Sequence, residues 1–251
     1  MARFAQEEGI YDNPVPRLAD PDAKPQVTIA LMALNIVVFV AMIFSGASPL
    51  NPDTMTLSRF GGTEGIYSLF VQQWRLLSAN YVHAGILHIG MNMWGLWVLG
   101  ELVERIFDRW VYVLTYTCCG VMGMVAACWW NPRVVTVGAS GAIFGMAGAL
   151  ITALYLGKLP VAKESVQSIV KNLIFVIGFN LFLGFGSSGI SNAAHIGGCA
   201  TGLALGAILA PSLTARPAKR QLWAGVVFVV VGTILGVGLV YAQHVYHRLA
   251  G

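Results

Sequence analysis

Seven long apolar runs dominate this 251-residue chain and leave it few folds. They extend approximately from Val27 to Phe44, Ile86 to Val103, Trp110 to Trp129, Ala139 to Leu156, Val170 to Gly186, Ala193 to Ala210 and Leu222 to Tyr241. Each comes near the ~20 residues that a helix needs to cross the hydrocarbon core of a bilayer. Proline, glycine or charge marks their borders, as at Pro25, Pro49, Pro132, Pro160 and Pro211. A segment in lipid must satisfy its own backbone, so the runs read as helices. Charged residues make up 10% of the chain, too few to solvate a globular surface, which carries roughly a quarter. The expectation is an all-α polytopic membrane protein. A cytoplasmic N-terminal segment (1–26) precedes a six-helix core (27–210), and a basic connection (211–221) leads to an additional transmembrane helix (222–242) and a short outer tail (243–251).

The net charge of +4 does not point to nucleic acid, because the basic residues sit in short connections and form no patch. With the N-terminus inside, eleven of the 15 Lys and Arg residues fall on the inner side. That bias predicts a cytoplasmic N-terminus and an outer C-terminus. A cleaved signal peptide ending near Ser45-Gly46-Ala47 is the competing reading of the first run. The long acidic leader, with Glu7, Glu8, Asp12, Asp20 and Asp22, opposes it, and also opposes an organellar transit peptide. A bacterial inner membrane is therefore expected. The four cysteines lack a metal-ligand spacing, so neither metal nor cofactor is expected. Nothing in the sequence sets an oligomeric state.

Polar residues inside such runs are costly and ask for a reason. His88 and Asn92, four apart on the second run, share a helix face. Ser140 opens the fourth run in Gly138-Ala139-Ser140-Gly141, and His195 opens the sixth in Ala194-His195-Ile196-Gly197-Gly198. All three runs enter the membrane from the outer side, so these groups fall in one shallow layer. Gly141, Gly145 and Gly148 on the fourth run face Gly198, Gly202 and Gly206 on the sixth, and small residues at such spacing let helix backbones approach. Together they put a hydroxyl near an imidazole, the arrangement that activates a serine nucleophile. With no carboxylate near that layer on either run, a Ser140–His195 dyad is the economical assignment. The Ser140 N–H, His88 and Asn92 are candidate donors to an oxyanion.

In this order the motifs resemble the rhomboid family over about residues 60 to 210. They are Trp74-Arg75 in a long outer loop, His83 and His88 leading to Asn92, Gly138-Ala139-Ser140-Gly141, and Ala194-His195-Ile196-Gly197-Gly198. The resemblance implies a rhomboid-like six-helix core plus a seventh C-terminal helix. It further implies an intramembrane serine endopeptidase cleaving single-pass transmembrane substrates in or near the lipid bilayer, with Gly138 shaping the oxyanion loop, and the shared outer layer of these groups predicts a site that opens outward. Two positions depart from the family pattern: Phe144 stands where a Tyr commonly stacks on the imidazole, and Asp108 where a Gly is common.

Blander readings exist for each residue. A lone intramembrane Ser is usually a packing residue, and His or Asn often serves as glue between helices. Trp74 and Arg75 suit an interfacial anchor as well as a family-specific structural role. His83 reads as a solvated or loop-fixing residue, and Glu104 as a cap on the end of the second run. The Gly138-x-Ser140 pattern is not a nucleophile elbow, since Ala142 stands where that turn needs glycine. An inactive rhomboid-like binding or quality-control factor is the alternative function. A transporter would show charges at mid-membrane or an inverted repeat, and neither is found.

Overall fold

The computed structural model describes residues 24–157, 162–186, 189–215 and 217–250. Most of the 1–26 segment, residues 187–188 of the glycine-rich run after the fifth span, and Arg216 therefore lie outside the described residues. The described chain is helical almost throughout. In order it forms α1 (Gln26–Phe44), α2 (Thr54–Arg59), β1 (Thr63–Glu64), α3 (Ile66–Phe70), α4 (Arg75–Ser78), α5 (Ile86–Ile106), α6 (Arg109–Trp130) and β2 (Val135–Thr136). There follow α7 (Ser140–Leu156), α8 (Lys163–Phe185), α9 (Asn192–Leu209) and α10 (Pro217–Ala250). Among the described residues six helices are long and apolar enough to cross a membrane, and α7 is a shorter apolar helix. The chain is an all-α, multi-pass integral membrane protein.

The short helix sits in the middle. Most of α7 is buried, and α9 packs along it while also touching α6. Glycine makes this possible. A Cβ added at Gly198 would stand 2.0 Å from the Gly141 carbonyl oxygen, one at Gly202 1.7 Å from that of Gly145, and one at Gly206 2.3 Å from that of Ala149. Backbone thus lies on backbone, and dispersion contacts between helices replace the hydrophobic drive that lipid cannot supply.

Several boundaries differ from the sequence reading. Helix α8 begins seven residues before Val170, taking in Lys163 and Glu164, and α10 continues beyond Tyr241. Polar residues end an apolar run but not a helix, whose hydrogen bonds continue once the chain has left lipid. Glu104 does not cap its own helix. Its carboxylate accepts from the Val27 and Thr28 N–H groups at 2.9 and 3.1 Å and from the Thr28 hydroxyl at 3.0 Å. It therefore caps α1, where Pro25 supplies no side-chain cap. Asp108 accepts from Arg220 at 2.7 Å and so ties the start of α10 to the α5–α6 turn.

The long connection between α1 and α5 is built rather than loose. Arg75 is 8% exposed, and its Nη1 donates to the carbonyls of Ser58 and Gly62 at 2.5 and 2.9 Å. For Arg75 the interfacial-anchor reading is wrong, because the guanidinium faces inward onto backbone oxygens. Trp74, 55% exposed, stays outside. Strand β1 pairs antiparallel with β2, joining this connection to the segment that leads into Ser140.

Candidate active site

Three helix beginnings converge here. Ser140 is the first residue of α7, His195 the fourth of α9, and His88 and Asn92 lie in the first two turns of α5. Ser191 starts α9 by accepting from the Ala194 N–H at 3.3 Å, which fixes the turn carrying His195. Ser140 Oγ lies 2.8 Å from His195 Nε2, well within hydrogen-bond reach. The His195 ring is buried and stacks on Phe144 with centroids 4.0 Å apart and planes 10° from parallel. Phe144 thus covers one face of the imidazole through its ring alone and needs no hydroxyl to do so.

The neighbouring space is shaped by a glycine. Gly138 has φ +115°, open to glycine but not to ordinary side chains. A Cβ there would meet His88 Cε1 and Nε2 at 2.7 Å and Asn92 Nδ2 at 3.9 Å. The missing side chain leaves a small cradle beside Ser140, with two potential donors on its wall. The Ala84 N–H donates to His88 Nδ1 at 3.2 Å. That bond requires a lone pair on Nδ1, so neutral His88 carries its proton on Nε2, toward Gly138. Asn92 Nδ2 donates to the His88 carbonyl at 2.8 Å, which orients the amide and leaves its second N–H free for the cradle. As the first residue of α7, Ser140 also presents an N–H that has no acceptor within its own helix.

These four residues and Gly138 are brought together. His83 is not part of the cradle. It is fully buried rather than solvated, meets His88 edge-on with centroids 5.2 Å apart, and burial pushes its pKa down to about 3. It backs the His88 ring as a neutral group, so only the loop-fixing half of its sequence reading fits. Among the described residues no group of three or more His, Cys, Asp or Glu side chains could hold a metal.

Residues 71–212 match the family model of the Rhomboid domain. The chain belongs to the rhomboid family. It is 36% identical over 220 residues to Rhomboid protease GluP of Bacillus subtilis (strain 168), covering 88% of this chain and 41% of that protein. RHOMBOID-like protein 2 of Arabidopsis thaliana is 30% identical over 253 residues, 85% of this chain and 79% of its own. Rhomboid protease AarA of Providencia stuartii is 30% identical over 210 residues, with coverages of 74% and 73%. The chain spans about two fifths of the length of the Bacillus relative.

Sequence reasoning missed Thr63 and Thr136, whose hydrogen bonds join the long connection to the loop before Gly138. The β-branched run Val134-Val135-Thr136-Val137 was the available signal, since such residues favour strands. Its partner strand has no comparable signature.

Proposed function

We propose that the chain is an intramembrane serine endopeptidase that cleaves single-pass transmembrane proteins in or near the bilayer with a Ser140–His195 dyad. The observation that carries this reading is the 2.8 Å contact between Ser140 Oγ and His195 Nε2 beside a cradle open to an oxyanion. Ser140 Oγ attacks the scissile carbonyl carbon while His195 Nε2 takes the hydroxyl proton. The negative oxygen enters the cradle, where the Ser140 N–H, His88 Nε2–H and the free Asn92 N–H are its donors. Collapse breaks the C–N bond, and the leaving amine takes the proton from His195. Water then repeats the sequence on the acyl-enzyme and regenerates Ser140.

The setting is a bacterial inner membrane with the N-terminus cytoplasmic and the site opening outward. The basic residues favour this orientation. At 17 residues α7 is about 25 Å long, short of a hydrocarbon core of about 30 Å. A helix of that length flush with the inner boundary leaves Ser140 recessed below the outer one, within reach of water.

Purified protein should cleave a reporter single-pass substrate, and a fluorophosphonate should label Ser140. Ser140→Ala and His195→Ala should each abolish cleavage while leaving the protein folded, and the double variant should be no worse than either. His88→Ala or Asn92→Ala should lower turnover on the order of 10²–10³-fold, the usual cost of an oxyanion donor. A folded wild type that neither cleaves nor labels would instead fit the inactive binding-factor reading.

A further inference from the structure

A buried hydroxyl grips the loop that presents Gly138 and Ser140. Thr63 is fully buried, and its Oγ1 accepts the Thr136 N–H at 3.1 Å while donating to the Thr136 carbonyl at 3.1 Å. A single side chain thus satisfies both backbone groups of its partner, in a ladder with only Thr63 opposite Thr136 and Glu64 opposite Val135. A ladder that short does not hold itself together. Two residues beyond Thr136, the Gly138 N–H donates to the Ala79 carbonyl at 2.9 Å, and Gly138 then faces His88 and Asn92.

Thr63 is itself fixed from behind. Arg75 grips the Gly62 carbonyl at 2.9 Å and lies 3.3 Å from the Glu64 carboxylate, which also accepts from the Ser58 hydroxyl. The two segments interlock, since a Cβ at Gly62 would stand 2.8 Å from Val137 Cγ1. The chain of contacts runs from Arg75 through the residues flanking Thr63 to Thr136 and on to Gly138.

We propose that Thr63 is a positioning residue for the oxyanion loop, its hydroxyl holding Thr136 so that Gly138 and the Ser140 N–H keep their places opposite His88 and Asn92. Thr63 touches none of the reacting groups and acts through the loop. The role rests on the protease reading above. An oxyanion is bound mainly in the transition state, so a displaced loop lowers kcat and leaves KM nearly unchanged.

The test compares Thr63→Val, which keeps the shape and loses both hydrogen bonds, with Thr63→Ser, which keeps the hydroxyl. Full-length proteins in liposomes are assayed for kcat and KM on a single-pass reporter, for fluorophosphonate labelling of Ser140 and for thermal unfolding. Thr63→Val should lose about 10-fold or more in kcat and in labelling rate, since misplacing catalytic groups by about 1 Å can cost ~10²-fold. Its KM should stay within about twofold under the same reasoning, and Thr63→Ser should recover most of the loss. Thr63→Ala serves as a second removal variant. An equal rate in folded Thr63→Val, or a loss confined to KM, would overturn the proposal while leaving the protease reading intact. Failure of both Thr63→Val and Thr63→Ala to fold, with Thr63→Ser folding normally, would also overturn it by making Thr63 a fold determinant alone. A folded wild type that is not labelled at Ser140 would remove the protease reading and this role with it.

Discussion

Helices α8 and α9 are neighbours in sequence and opposites in how they are held. Helix α9 has its glycine face on α7 along its length, and His195 belongs to that face. Helix α8 packs on the core mainly over its first half, through Val166, Ile169, Val170 and Leu173 at helical spacing. Its second half leaves Phe175, Phe179, Phe182 and Phe185 exposed, and a Cβ at Gly178 would meet nothing within 4 Å. Asn192 Nδ2 at the start of α9 donates to the Leu181 carbonyl at 3.0 Å and ties that half to its neighbour. The helix that carries the proposed base is fixed by backbone contact, and the one beside it leaves most of its second half exposed. A dyad needs fixed geometry, whereas a substrate arriving through lipid needs a side that opens.

The sharpest way to break this contrast is to place the same side chain on each helix. Gly202→Val would drive a Cβ to within 1.7 Å of the Gly145 carbonyl oxygen and force α9 off α7. Overpacking commonly costs about 1–3 kcal/mol, and more where backbone is the obstacle. Gly202→Val should therefore lower the unfolding temperature markedly and abolish fluorophosphonate labelling of Ser140. Gly178→Val should leave both nearly unchanged. Equal tolerance at the two sites would dissolve the distinction between a locked helix and a loose one.

A smaller effect is expected at the ring that holds the imidazole in place. Among the described residues no carboxylate is hydrogen-bonded to the His195 ring, and Phe144 stacks on its face. Aromatic pairs contribute about 0.5–1.5 kcal/mol beyond burial, so Phe144→Ala should slow turnover by about 2- to 10-fold through a less well-held base. Phe144→Tyr restores the hydroxyl common in the family and should change the rate by less than about twofold, since the ring face carries the contact. A large gain from Phe144→Tyr would show that the ring alone under-orients His195.

How much of this was legible in the sequence follows from the range of each interaction. The seven apolar runs were visible because hydrophobicity summed over ~20 residues is a strong signal. The approach of α7 to α9 was visible because Gly141, Gly145, Gly198 and Gly202 repeat at helical spacing. What escaped depends on partners far away in the chain. Glu104 was assigned to its own helix because nothing local shows that its acceptor oxygens serve Val27 and Thr28, more than 70 residues earlier. The α2–α4 connection was read as a loop because helices of four to six residues and a two-residue strand show no periodicity. Arg75 stayed open between an interfacial anchor and a structural role for the same reason, since only the folded connection brings the Ser58 and Gly62 carbonyls to it.

The smallest expected effect concerns access through α8. A substrate lying in the bilayer must come between helices, and Gly184 and Gly186 at the end of this span are where a hinge would be sought. The structure changes that picture in one respect. Gly184 is buried, and a Cβ there would stand 2.0 Å from Asn192 Oδ1, so this glycine serves close packing rather than free bending. If α8 gates access, the tie to remove is the Asn192 amide. One such hydrogen bond is worth about 0.6–1 kcal/mol, so Asn192→Ala should shift the balance toward the open side by about three- to fivefold. Cleavage of a membrane-embedded reporter should rise accordingly, and Phe182→Ala should act in the same direction by thinning the helix where it faces lipid. A small water-soluble fluorophosphonate need not pass between helices in lipid and should label all three proteins at one rate. Parallel changes in labelling and cleavage would mean that Asn192 acts on His195 through α9, and no change in either would mean that the loose helix is not the door.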